Sequence, residues 1–91
     1  MPYIAEEDRE GFQHIPAALS LNGIDTAGEL QFVIALAIAE YLKDKPHRYQ
    51  TMNDVMGALN GANQEFYRRV VAPYETKCIE KNGDVRGYGI Y

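Results

Sequence analysis

The residues best equipped for chemistry lie in one stretch of this 91-residue chain, Glu65-Phe66-Tyr67-Arg68-Arg69-Val70-Val71-Ala72-Pro73-Tyr74-Glu75, with Lys77 just beyond it. Arginine presents a planar fork of donors that matches phosphate or carboxylate, and a tyrosine ring offers a face on which a base can lie. Tyr67, Arg68, Arg69, Tyr74 and Lys77 therefore form a candidate binding site for a nucleotide-like anion. On a regular helix Glu65 falls one turn from both arginines, while Tyr67 and Tyr74 stand two turns apart on one face. The plainer reading of the same residues is a helix surface with ordinary ion pairs and with tyrosines covering the edge of a core. Neighbouring helical residues point about 100° apart, so the two arginines must differ in role. Phe66 and Val70 lie on the apolar stripe, which sets Arg69 at the core edge as the structural one and leaves Arg68 to face a ligand with Tyr74 or Lys77.

Other chemistry is sparse. Lys43, Lys45, His47 and Arg48 cluster beside Tyr49, and their simplest role is to complement the C-terminus of a preceding helix. His14 and His47 lack ligand spacing and Cys78 has no second cysteine, so neither a metal site, a cofactor nor an internal disulfide is expected. Ser20 is the only serine, and neither a phosphate loop nor an H-E-x-x-H motif occurs. Glu6, Glu7, Asp8 and Glu10 read as a solvated acidic turn. A binding protein is expected, not an enzyme.

A net charge of -4 argues against binding duplex nucleic acid, since such proteins neutralise several phosphates with Lys and Arg. The composition, 46% hydrophobic and 24% charged, belongs to a chain that packs rather than one that stays disordered. No secretory signal opens it and its longest apolar run, residues 30–39, is about half what a bilayer span needs, so a cytoplasmic protein with no membrane association is expected.

The site must sit on helices. The sequence predicts an all-α single domain over residues 1–91, with two long antiparallel core helices at about 26–43 and 51–72. The first opens on Thr26-Ala27-Gly28-Glu29, a capping-box pattern, and ends before Pro46. Leu30, Phe32, Val33, Ile34, Leu36, Ile38, Tyr41 and Leu42 occupy nearly every side of it, so it is either central or covered on one face by another subunit. The second opens at Thr51 with Asp54 as its acidic partner, and Met52, Val55, Met56, Leu59, Ala62, Phe66, Val70 and Val71 give it one apolar stripe. Its Gly57 and Gly61 predict a close helix crossing, expected inside one subunit rather than between subunits.

Pro73 is expected to kink the second helix, with a continuation to residue 81 and a cap at Asn82-Gly83, the alternative being a hairpin turn there. Short helical turns should precede the long helices: one over residues 5–10 stopping at Gly11, and one over 17–21 led by Pro16 and ended by Asn22-Gly23. The Gly-rich end, from Val85 onward, predicts an extended tail.

The opening Met1-Pro2-Tyr3-Ile4, the run from Glu65 through Glu75, Asn82-Gly83-Asp84-Val85, and the central Ala27-Gly28-Glu29-Leu30-Gln31-Phe32 resemble a family of short uncharacterised proteins of tailed phages and prokaryotes. The family carries no activity to transfer. The resemblance implies a compact accessory protein of phage context, and the chain departs from the family pattern by continuing past Val85. Small size and all-round apolar helix together predict a homo-oligomer. The function expected is a non-catalytic binding protein that sequesters a nucleotide-like anion such as a host immune signal. The alternative is a protein–protein interaction factor, an inhibitor or adaptor of a host protein, with no small-molecule ligand.

Overall fold

The computed structural model describes residues 1–90 and contains helices and turns, with no strand among the described residues. Four α-helices follow one another: α1 (Ile15–Asn22), α2 (Ala27–Leu42), α3 (Tyr49–Phe66) and α4 (Ala72–Asn82). A 3-10 helix at Glu6–Phe12 precedes them, a π-helical turn at Tyr67–Val71 joins α3 to α4, and a 3-10 turn at Tyr88–Ile90 closes the described chain. The chain divides into two compact units, one of residues 3–57 and one of residues 1–2 with 58–91, so the division falls within α3.

In the unit of residues 3–57 the local signals act as the sequence predicts. Pro16 sits in the first turn of α1, where its missing N–H costs nothing. Gly23 ends that helix with φ 81° and donates its N–H to the Leu19 carbonyl at 3.0 Å. Thr26 caps α2 by a full capping box. The Glu29 N–H donates to Thr26 Oγ1 at 3.0 Å, and Glu29 Oε1 accepts from the backbone N–H groups of Thr26 at 2.9 Å and Asp25 at 2.8 Å. Those two backbone bonds, Asp25 first, hold the Glu29 carboxyl below the usual carboxylate range. After α2, Lys43 pairs with Glu40, and the Lys45 ammonium lies 4.1 Å from the Tyr41 ring centroid.

Several expectations are corrected. The acidic first turn does not stop at Gly11 but runs on to Phe12 as a 3-10 helix, and Arg9 Nε donates to the Ile4 carbonyl at 2.9 Å. Helix α3 begins at Tyr49 rather than Thr51, and Asp54 accepts from Gln50 Nε2 at 2.8 Å instead of capping the helix. Thr51 is left inside the first turn and is the one buried residue among those described, 8% exposed. The tail is not extended over residues 85–90, and Tyr91 lies outside the described residues: Asp84 Oδ1 accepts from the Val85 N–H at 2.7 Å, Gly87 takes φ 93°, and the Tyr88 N–H donates to the Val85 carbonyl at 3.0 Å. At Gly83 the cap prevails over the hairpin, with φ 90° and an N–H donated to the Ile79 carbonyl.

The largest difference concerns burial. No apolar side chain among the described residues is buried. The stripes are where the sequence puts them, yet Phe32 is 64% exposed and Leu36 54%. Val33, Ile38, Leu42 and Val55 are half-buried. The expected core of buried apolar side chains on the two long helices is thus absent among the described residues. The close crossing expected at Gly57 and Gly61 is absent as well: a Cβ on Gly57 would meet nothing within 4 Å, and one on Gly61 would meet only the Met1 nitrogen at 3.5 Å.

Two substitutions check this account by thermal or chemical denaturation. Thr26→Ala removes the α2 cap and should lower stability by about 1 kcal/mol. Gly57→Ala places a methyl in open space within a helix and should raise stability by about 0.5–1 kcal/mol.

Candidate functional site

All five residues of the sequence-derived site lie in the unit that contains residues 58–91, around the π-helical turn. Pro73 explains the turn. It has no N–H to give the Arg69 carbonyl four residues back, and its ring crowds that carbonyl in a regular helix. The interruption expected at Pro73 accordingly lies just ahead of it. The Ala72 N–H reaches back five residues to the Tyr67 carbonyl, and the α-helix resumes at Ala72 with Pro73 in its first turn.

A single wider turn takes one more residue than an α-turn, so two turns here span about eight residues instead of seven. That shift re-sorts the side chains. Tyr67 no longer shares a face with Tyr74, as the sequence predicts for a regular helix, but lines up with Glu75. The Glu75 carboxylate beside it, through its charge first and then through a hydrogen bond, pushes the Tyr67 phenol above its ordinary value, with burial a smaller cause. By the same count Arg69 aligns with Lys77, and Tyr74 stands one turn before Lys77 on the adjoining face.

The two arginines differ in their contacts. Arg68 turns back to the half-buried Glu65, with Nη2 2.6 Å and Nε 3.1 Å from Oε1. Arg69 is exposed and makes no ion pair among the described residues. Glu65 is the last carboxylate before the turn, and Arg68, three residues on, is within its reach. The five residues thus fall into two sets. Tyr67 and Arg68 are held by Glu75 and Glu65, while Arg69, Lys77 and the 68% exposed Tyr74 form an outward strip that carries cation charge beside an aromatic face.

Sequence reasoning missed Glu75 as the partner of Tyr67. The only signal for it is Pro73 two residues earlier, which marks a disturbance without giving its hydrogen-bond register. Elsewhere, no three of the described His, Cys, Asp and Glu residues gather in a way that would hold a metal ion, and Cys78 is a half-buried free thiol. No described helix is long and apolar enough to cross a membrane.

The Tyr67–Glu75 contact has a defined pH dependence. A phenol whose folded pKa is raised contributes stability in full below its unfolded value of about 10 and loses it as pH rises through the folded value. In an alkaline titration followed by phenolate absorbance, the difference between the native protein and Tyr67→Phe should show one phenol ionising late. Glu75→Gln should bring that phenol back towards its ordinary range.

No curated protein and no solved structure matches the chain. One family does, described as a domain of unknown function, DUF6899, and its match covers residues 1–85. Both long helices, the π-helical turn, α4 and all five site residues fall inside that span, and the tail after Val85 lies beyond it. With nearly the whole chain matched, this all-α protein belongs to the DUF6899 family.

Proposed function

We propose that the protein is a non-catalytic, homo-oligomeric binding module that takes up a nucleotide-like anion on the strip formed by Arg69, Lys77 and Tyr74, with Tyr67 and Arg68 alongside. The observation that carries this reading is the coincidence of the π-helical turn with the Arg- and Tyr-rich segment. Such turns are costly departures from α geometry and occur often at binding sites. Here the turn lines up two cations, Arg69 and Lys77, that make no ion pair among the described residues. An arginine fork and an ammonium suit phosphate oxygens, and the Tyr74 ring suits a base.

In a phage-encoded accessory protein acting in the host cytoplasm, sequestering a host nucleotide immune signal is the use this chemistry fits. A second reading, a protein–protein interaction factor without a small-molecule ligand, is favoured by the many exposed apolar side chains. Binding to a protein would draw on that apolar surface, whereas binding to an anion draws on the strip.

Isothermal titration against a panel of mono-, di- and cyclic nucleotides separates the two. The anion reading expects saturable heat with at least one of them. Arg69→Ala should then lose roughly 1.5–3 kcal/mol of affinity, with little change in melting temperature. Arg68→Ala should mainly lower stability, because it leaves Glu65 half-buried and unpaired. No saturable heat with any nucleotide would favour the interaction factor.

A further inference from the structure

Beyond the two cations aligned by the π-helical turn, the same face of α4 carries a third. Tyr74, Lys77 and Lys81 stand at i, i+3 and i+7, within an arc of about 60°, and Arg69 joins them across the turn by its alignment with Lys77. All four lie in the unit that contains residues 58–91 and are exposed, and the three cations make no ion pair among the described residues. The neighbouring carboxylates do not fill the row. Glu75 is turned to Tyr67, and Glu80 stands about 60° to one side of Lys77.

The order of these residues along the helix distinguishes one ligand from another. From the helical rise per residue, Arg69, Tyr74, Lys77 and Lys81 follow one another at steps of about 7, 5 and 6 Å. The aromatic ring therefore has a cation on each side of it along the axis. A nucleoside 5′-phosphate lying on Tyr74 sends its phosphate one way only and leaves the opposite cation without an anion. A nucleoside within a strand carries one phosphate on its 5′ side and another on its 3′ side, which matches one ring between two cations. Stacking on an aromatic ring tolerates any base, and a basic groove that tracks the backbone is its usual companion. Lys81 lies in the last turn of α4 and also offsets the carbonyl end of the helix, so Arg69 and Lys77 are the principal contacts. The row is narrow, with Glu80 along one edge, and the chain's net charge is -4, so it suits one backbone and not the two of a duplex.

We infer that the ligand of this strip is a phosphodiester-linked, single-stranded oligonucleotide and not a free mononucleotide, with one base on Tyr74, the phosphates on either side of it on Arg69 and Lys77, and the strand running on towards Lys81. The inference rests on the anion-binding reading proposed above and narrows its ligand class. It does not depend on the number of subunits.

Two ligands of equal phosphate number test it by isothermal titration. Adenosine 3′,5′-bisphosphate carries a phosphate on each side of the nucleoside, and adenosine 5′-diphosphate carries both on one side. The native chain should bind the bisphosphate about 10-fold tighter or better, and a linear trinucleotide of adenosine at least as tightly as the bisphosphate, with affinity that falls as salt is raised. Arg69→Gln and Lys77→Gln should each bring the bisphosphate down to the level of the diphosphate, and Tyr74→Ala should weaken all three ligands by about 10-fold. These side chains are exposed, so helix content by circular dichroism should not change, and the comparison of ligands on the native chain needs no variant. A diphosphate bound as tightly as the bisphosphate, a trinucleotide bound more weakly than the bisphosphate, or a preference that survives both Gln substitutions overturns the inference and leaves the anion reading standing. Absence of saturable heat with all three ligands and with the nucleotide panel removes both.

Discussion

One constraint stands out in this structure: α2 is apolar on opposite sides, and none of its apolar side chains is buried among the described residues. Capping at Thr26 and the ion pair at Glu40 fix where the helix begins and how its end is held, but neither removes Phe32 or Leu36 from water. Leaving such side chains exposed forgoes roughly 1.5–3 kcal/mol for each one, a large sum against the marginal stability of any small domain. In the proposed oligomer, a partner that buries them would contribute to folding itself, and association would be coupled to folding.

The candidate site depends on a different local constraint, the missing N–H of Pro73. By widening the turn from Tyr67 to Val71, the proline changes which side chains are neighbours two turns apart. Glu75 is drawn to Tyr67, Glu65 remains with Arg68, and Arg69 is aligned with Lys77. The carboxylates of the segment are thereby committed to one pair of residues, and its positive charge is concentrated on another. That separation makes the segment more than an ordinary helix surface with alternating charges, where cations and anions would cancel along one face.

How much of this was legible in the sequence depends on how local each cause is. The Thr26–Glu29 capping box, Pro16 at the start of α1 and the glycine caps at Gly23 and Gly83 are encoded within a few residues, and each is found where the sequence puts it. The π-helical turn was half legible: Pro73 announces a break, but the hydrogen-bond register around it decides on which residues the break falls. Burial was the least legible. Periodicity says which residues want cover and is silent on which molecule supplies it, and for that reason the stripes of α2 and α3 were placed correctly while the core they imply was not found inside one chain. Gly57 shows the same limit, since a small residue in a helix permits close approach without compelling it.

The account rests most heavily on the coupling of folding to self-association, and thermal unfolding over a wide range of protein concentration tests it directly. A chain that completes its core by pairing must unfold at a midpoint that climbs steadily as concentration is raised about 100-fold, because mass action favours the paired folded state. A midpoint that does not move with concentration, in a protein whose mass stays that of a single chain, would contradict it.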